Sequence, residues 1–323
     1  MINDIQIFLD NNHLLYEKNV DLKKRTWIHR GGIANLFISP KNEQELSVIV
    51  SYLYKHNVQF LLIGHTSNLY VLNTTDLPVV ISTAKCQAYT LKGETLYCEA
   101  GVGVIKLSNQ LLKQGIKGFE YLTGLPGTVS AALVNNSSCK SNSISDLLIS
   151  AKVLLKTGDI VEWTSNDFEF SFRSSILKRK EVEGCILSVF LKAQKGDAEE
   201  LNKIAEANKL NRKERLDGNT QNLGCIFDEP YCLGSMKIKY KIVKLSIRTI
   251  GKIFAVSNIK INTAIYKILC KMSHCEEALP YISRKNVLVF IWHDDGADKA
   301  FSVYCRFMNE VYRTNKLEIE VIE

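Results

Sequence analysis

Gly118-Phe119-Glu120-Tyr121-Leu122-Thr123-Gly124-Leu125-Pro126-Gly127-Thr128-Val129 is the stretch whose reading decides the fold. Two glycines and a proline in six residues, Gly124 to Val129, let a backbone approach a planar ligand closely. The alternative is a surface turn, but apolar residues surround this one, and surface turns are usually more polar. Just upstream, Ala100-Gly101-Val102-Gly103 closes a strand and opens a helix over 105–114 that ends at Gly115, a residue suited to a helix C-terminus. Further upstream, Leu62-Ile63-Gly64-His65-Thr66-Ser67-Asn68-Leu69 leads a short strand into a tight polar turn. Successive N–H groups in such a turn make an anion nest, and a dinucleotide pyrophosphate is the natural ligand. An ordinary β-turn is the other reading. No GxGxxG occurs at this turn, so a nicotinamide Rossmann site is not supported.

Around these loops the pattern predicts alternating elements. A helix is expected over the first twenty residues, from apolar Ile5, Phe8, Leu9, Leu14 and Leu15. Strands follow over 33–39, 60–63, 69–72 and 79–82, with an amphipathic helix over 43–56. Turn signals at Lys92-Gly93-Glu94 and Thr157-Gly158-Asp159 predict two hairpins. A strand over 185–191 and a charged helix over 198–212 come next, the latter a plausible boundary. The chain is expected to finish as strand (287–292), helix (298–312) and strand (317–322).

The 323 residues suit two or three domains. Apolar residues are 46% and charged residues 23%, with only 18 Gly and 5 Pro, which excludes collagen-like, disordered and low-complexity chains. No apolar run is long enough to span a membrane, and the start lacks the basic and apolar regions of a secretory signal. Nine scattered cysteines without a CxxC pair point to a reducing cytoplasm, and the three Asn-x-Ser/Thr sequons are then chance. Net charge is +7, and the segment from Lys237 to Lys271 carries nine Lys/Arg with no Asp or Glu. Such a face suits phosphates of a nucleotide, a nucleic acid or a lipid surface, or is a solvated face.

Two further features carry candidate chemistry. Cys225, in Leu223-Gly224-Cys225-Ile226-Phe227, is a possible proton donor or nucleophile, or else a buried inert thiol. In Leu317-Glu318-Ile319-Glu320-Val321, strand alternation would put both carboxylates on one face, either a buried general acid or a solvent-facing edge. The six histidines show no metal-ligand spacing, so no metal site is expected. His293-Asp294-Asp295 reads as a polar turn.

In their order along the chain these loops resemble the UDP-N-acetylenolpyruvoylglucosamine reductase family, flavoenzymes of peptidoglycan precursor synthesis. The resemblance runs from 41–45 through the Gly64–Asn68 turn, Ala100–Gly103 and Gly118–Val129, the last the most specific. Phe170-Ser171-Phe172-Arg173-Ser174-Ser175 resembles the family's Tyr-Arg-x-Ser, Gly224–Phe227 its Gly-Ser-x-Phe, and Leu317–Val321 its Leu-Glu-Pro-Glu-Val. It covers about 22–230 and 282–323. It implies an α+β fold: a two-part FAD-binding domain of the vanillyl-alcohol-oxidase (PCMH) type and a C-terminal α+β substrate domain. The expected layout is an N-terminal helix (1–21), the FAD domain (22–196, subdomains 22–82 and 83–196) and the substrate domain (197–323).

The resemblance implies that hydride passes from NADPH, by way of noncovalent FAD, to C3 of an enolpyruvyl ether on UDP-N-acetylglucosamine, giving UDP-N-acetylmuramate. Gly31, Gly64, His65, Thr66, Ser67, Asn68, Leu69, Gly101, Gly124, Leu125, Pro126, Gly127, Thr128 and Val129 would bind FAD. Arg173 would hold the substrate carboxylate, Glu320 would polarise it, and Cys225 stands where the family has the serine that protonates C2. Lys285 matches a basic substrate position loosely. His65 lies one or two positions from where related oxidases attach flavin, so covalent attachment is not expected. The pattern departs at Thr66 (family Gly), Ser130-Ala131-Ala132 (Gly-Gly-Ala), Asn135-Asn136-Ser137-Ser138 (Asn-Ala-Gly-Ala) and Asp228-Glu229-Pro230 (Lys-Asn-Pro). The family's Gly-Gly-Ala stretch before its Ser-x-Lys segment is not recognisable, and one subgroup's tyrosine-bearing insertion after Lys192 is absent. The expected partner is a small-molecule nucleotide sugar, with no nucleic acid. Two other readings stay open: a flavin oxidoreductase for another nucleotide sugar or polysaccharide intermediate, and a non-enzymatic scaffold using its basic face.

Overall fold

The computed structural model describes residues 1–227 and 235–323. The chain divides into two compact units: 1–25, 31–66 and 74–210 in the first, and 26–30, 67–73 and 211–323 in the second. The chain thus leaves the first unit at Thr66 and re-enters it at Thr74.

The first unit opens on helix α1 (Ile2–Asn11), which buries Ile5 and Leu9. The helix expected over twenty residues ends here. His13 takes a left-handed φ of 53°, which breaks the helix, and the chain continues as strand β1 (Tyr16–Asp21). Strands β2 (Ile33–Ile38), β3 (Leu61–Ile63) and β5 (Leu77–Ser82) join β1 in a four-stranded sheet ordered β1-β2-β5-β3. Only the β1–β2 pair is antiparallel. The crossover is helix α2 (Glu43–Lys55), whose Asn42 side chain accepts from the Glu45 N–H and whose Leu46, Ile49, Val50 and Leu53 are buried. Strand β4 (Leu69–Val71) belongs to the second unit.

A five-stranded antiparallel sheet follows, ordered β11-β10-β12-β7-β6, from β6 (Tyr89–Lys92), β7 (Thr95–Glu99), β10 (Leu148–Leu155), β11 (Ile160–Trp163) and β12 (Gly184–Lys192). Both expected hairpins form, β6–β7 and β10–β11. Helices α3 (Val104–Lys113) and α4 (Val129–Val134) cover one face, with Leu107, Leu111, Val129 and Leu133 in its core. The other face shares a core with α2 through Leu154, Cys185 and Leu187. The two-residue strands β8 (Ser138–Cys139) and β9 (Asn142–Ser143) form a small ribbon. Helix α5 (Ala198–Arg215) runs from the first unit into the second.

In the second unit, helices α6 (Ile238–Ile253), α7 (Asn258–Met272) and α8 (Ala297–Tyr312) surround a core holding Trp292, Phe290, Tyr304, Phe307 and Leu269. Strand β13 (Glu320–Ile322) pairs in parallel with β4. The strand expected over 287–292 does not form. All of its residues but Ile291 are buried, yet they pair singly with different partners, Val289 with Cys225 and Phe290 with Ile282, so no ladder is sustained. The last strand begins at Glu320, not Leu317, because the segment changes partner. Leu317 bridges Phe227, whereas Glu320 pairs with Leu69.

Candidate active site

Three glycine-bearing loops of the first unit converge. A Cβ on Gly64 would lie 2.5 Å from Thr128 Oγ1, and one on Gly103 would lie 3.1 Å from His65 Cε1. A Cβ on Gly101 would meet the Thr83 carbonyl oxygen at 1.8 Å and the Cys86 carbonyl oxygen at 2.8 Å. Gly124 and Gly127 take φ of 73° and 125°, conformations that side chains disfavour. The Val104 N–H donates to the Gly127 carbonyl, and the Val129 N–H to the Val102 carbonyl, stitching the 101–103 and 124–129 loops together. The Ser130 hydroxyl adds a 2.7 Å bond to the Ala100 carbonyl. Thr128, fully buried, caps α4 by accepting from the Ala131 N–H. The His65 imidazole is held below its ordinary pKa by burial, partly offset by a hydrogen bond to Gly127.

This cradle fits a dinucleotide cofactor. The main-chain N–H groups of His65, Gly103 and Gly127 donate to no protein acceptor among the described residues, so they remain available to phosphate oxygens. Thr66 takes φ of 56° and is buried. The turn therefore needs the left-handed conformation there, which is the physical reason a glycine would suit the position. Gly31 is buried with φ 138°, and the neighbouring Gly32 backs onto the Thr75 carbonyl, leaving no room for a Cβ.

Ser67, Asn68 and Leu69, read from the sequence with this turn, fall in the second unit. There the Asn68 carbonyl accepts from the Glu320 N–H at 3.0 Å, and its side-chain amide donates to the Glu318 carbonyl at 3.3 Å. The next layer is the Cys225 segment: the Glu318 N–H donates to the Ile226 carbonyl, and the Ile226 N–H to the Leu288 carbonyl. Cys225 and Glu320 thus lie on adjacent extended strips. Cys225 is half-buried, with the Asn286 amide 3.7 Å from its Sγ. Gly224 before it has φ of 76°. Glu320 is exposed, Glu318 half-buried and Ile319 buried, so Glu320 is a solvent-facing acid and not a buried one. Lys285 is drawn to the end of α5: its Nζ donates to the carbonyls of Lys213 at 2.9 Å and Leu216 at 3.2 Å. The Asp228-Glu229-Pro230 departure lies outside the described residues.

Arg173, in the first unit, is half-buried at a left-handed φ of 53° in a turn closed by reciprocal Ser171–Ser174 bonds. The 134–138 segment holds that turn. Arg173 donates to the Ser138 carbonyl, Asn136 to the Ser171 carbonyl and Ser175 to the Val134 carbonyl, at 3.1, 3.0 and 2.6 Å. Lys178 bonds both the Arg173 carbonyl and the Asn135 side chain. The sequence marks Asn135–Ser138 only as a departure from the family and does not mark Lys178, because these bonds join segments distant in sequence or lie inside an irregular turn.

An FAD binding domain family matches residues 34–164. The UDP-N-acetylenolpyruvoylglucosamine reductase of Bacillus pumilus (strain SAFR-032) is 33% identical over 215 residues, 66% of this chain and 70% of that relative. The reductase of the same name from Bacillus subtilis (strain 168) is 31% identical over 214 residues, again 66% and 70%. The crystal structure of UDP-N-acetylenolpyruvylglucosamine reductase from Thermus caldophilus is similar with a TM-score of 0.68 at 20% identity, covering 96% of this chain and 100% of that one.

Proposed function

The chain belongs to the UDP-N-acetylenolpyruvoylglucosamine reductase family, and from that premise we propose which of its residues carry the reaction. The protein is an FAD-dependent oxidoreductase that uses NADPH to reduce UDP-N-acetylenolpyruvoylglucosamine, a step of peptidoglycan precursor synthesis. FAD held in the first unit would supply the hydride-carrying chemistry between NADPH and the enolpyruvyl group.

The observation that carries the assignment is the glycine cradle, where three loops present unused N–H groups and where a Cβ on Gly64 or Gly101 would overlap its neighbours. His65, Thr66, Gly103, Gly124, Gly127 and Thr128 would hold the pyrophosphate and flavin through main chain, without a covalent bond. Arg173 would bind the substrate carboxylate and stabilise the charge that builds on it, work of the oxyanion-hole kind. Its turn is fixed by four hydrogen bonds from and to the 134–138 and 178 positions, so the guanidinium is positioned before substrate arrives. The Cys225 thiol would deliver the proton to C2, and Glu320, on the neighbouring strip, would hydrogen-bond the substrate. Lys285 is read as a clamp on α5 more than as a substrate contact. The reaction is proposed to run in the cytoplasm. The described cysteines are thiols, as a reducing compartment keeps them.

The test is an absorbance spectrum of the purified protein, then NADPH under anaerobic conditions, then the enolpyruvyl substrate. The expected result is a flavin band that bleaches with NADPH and recovers with substrate. Bleaching without recovery would move the substrate assignment to another nucleotide sugar. A protein that takes up no FAD on reconstitution would overturn the cradle assignment. Acid precipitation should leave the yellow colour in the supernatant.

A further inference from the structure

The basic segment forms the helical hairpin α6–α7, and its chemistry is more specific than charge. At about 100° per residue, Ile238, Ile242, Leu245 and Ile253 of α6 share one arc of roughly 80°. All four are exposed. Tyr240, Val243, Ile247 and Gly251 occupy the opposite side and pack into the core of the second unit or against α7. The helix therefore has two apolar faces, and only the inner one is covered among the described residues. Lys241, Lys244, Arg248 and Lys252 fall between them along one flank.

The tip of the hairpin repeats the pattern. Ile250, Ile253, Phe254, Val256 and Ile259 are all exposed, Phe254 by 74% and Ile253 by 72%. They sit between Arg248, Lys252 and Lys260. The two helices approach closely near this end: a Cβ on Gly251 would lie 2.6 Å from Ile261 Cδ1. No carboxylate occurs between 237 and 271. Glu310 of α8 pairs with Lys237 and Lys239, whereas Lys241, Arg248, Lys252, Lys260, Lys267 and Lys271 make no ion pair among the described residues.

We propose that this hairpin docks the enzyme on an anionic phospholipid surface, with the Ile253–Phe254 tip and the outer face of α6 entering the headgroup boundary and the cations meeting lipid phosphates. An apolar ridge flanked by lysines is what an interfacial helix requires. Nucleic acid would use the cations and leave the apolar residues in water. A second copy seated on this face would bring the flank of Lys241, Lys244, Arg248 and Lys252 against its own kind, with no carboxylate between 237 and 271 to offset it. No described helix is long and apolar enough to cross a membrane, so the attachment is to one face of it.

The experiment is co-sedimentation of the full-length FAD-loaded protein with vesicles of phosphatidylglycerol and phosphatidylcholine in equal parts, and with phosphatidylcholine alone. The double variant Ile253→Ser/Phe254→Ser is run beside it, with flavin content and NADPH oxidation as the check that it is folded. Binding to the anionic vesicles only, weakened at least tenfold by the double variant and reduced but not abolished by salt, is the expected result. Equal binding by the variant would mean charge alone acts, and would overturn the insertion of the tip. Absence of vesicle binding overturns the proposal, whether or not the protein retains duplex DNA or self-associates through the same tip.

Discussion

The glycine cradle of the first unit and the Cys225 strip of the second are built by opposite means. In the proposed cradle the ligand-facing groups would be main-chain N–H groups, and the residues matter for what they lack: a Cβ on Gly64, Gly101 or Gly103 would crowd Thr128, the Thr83 carbonyl or His65. In the strip the proposed chemistry is in side chains, and the main chain serves to bring segments 225–227, 286–289, 317–320 and 68–71 together, often by one bridge at a time. A backbone site is therefore sensitive to bulk and tolerant of side-chain chemistry. A side-chain site is the reverse.

The largest expected effect tests the strip. Cys225→Ala should lower substrate reduction by about 10²–10⁴-fold, the range for loss of a general acid, with flavin content and reduction of the bound flavin by NADPH unchanged. Cys225→Ser should restore most of it. Full activity in the alanine variant would remove Cys225 from the chemistry. The cradle is tested next by Gly101→Ala. A methyl group 1.8 Å from the Thr83 carbonyl cannot be accommodated by a rotamer change, so main chain must move. The expected cost is about 3 kcal/mol, at the upper end of ordinary overpacking, with loss of flavin and a lower Tm. Unchanged flavin content would show that the loops are not packed as described.

A smaller effect of opposite sign is expected at Thr66. Relief of the left-handed conformation by Thr66→Gly is worth about 1–2 kcal/mol, offset by the entropy glycine adds to the unfolded chain, about 0.5–1 kcal/mol. The net should be a modest rise in Tm with flavin retained; a fall would mean that the threonine side chain contributes more than its backbone costs. The smallest effect is the pH dependence of His65. Its pKa is depressed in the fold, so the unfolded chain binds the proton more readily as pH falls below the ordinary 6.5. Stability is therefore present above 6.5 and lost on acidification. His65→Gln should flatten the fall in Tm between neutral and mildly acidic pH, and an unchanged slope would assign that fall to other groups.

The cradle was legible because its physics is local. Glycine and proline at fixed spacing, such as Gly124-Leu125-Pro126-Gly127, restrict backbone conformation whatever lies around them. The helices α2, α3 and α5 and the two hairpins were legible for the same reason, through periodicity and turn residues. Val287–Trp292 misled because a buried apolar run looks like a strand, although no single partner runs alongside it. The support of Arg173 by Asn136, Ser175 and Lys178 left no pattern, since each bond joins segments distant in sequence or inside an irregular turn.

By itself, then, the sequence determined the elements, the glycine loops and the concentration of positive charge in 237–271, because each depends on conformational preferences or formal charges that residues carry with them. Only the tertiary structure decided that Thr66 is left-handed and buried, that Glu320 is exposed, that Lys285 clamps α5, and that the basic helices turn an apolar ridge outward. Those depend on which surfaces are covered and which partners are reached, and burial belongs to the packed molecule, not to a residue alone.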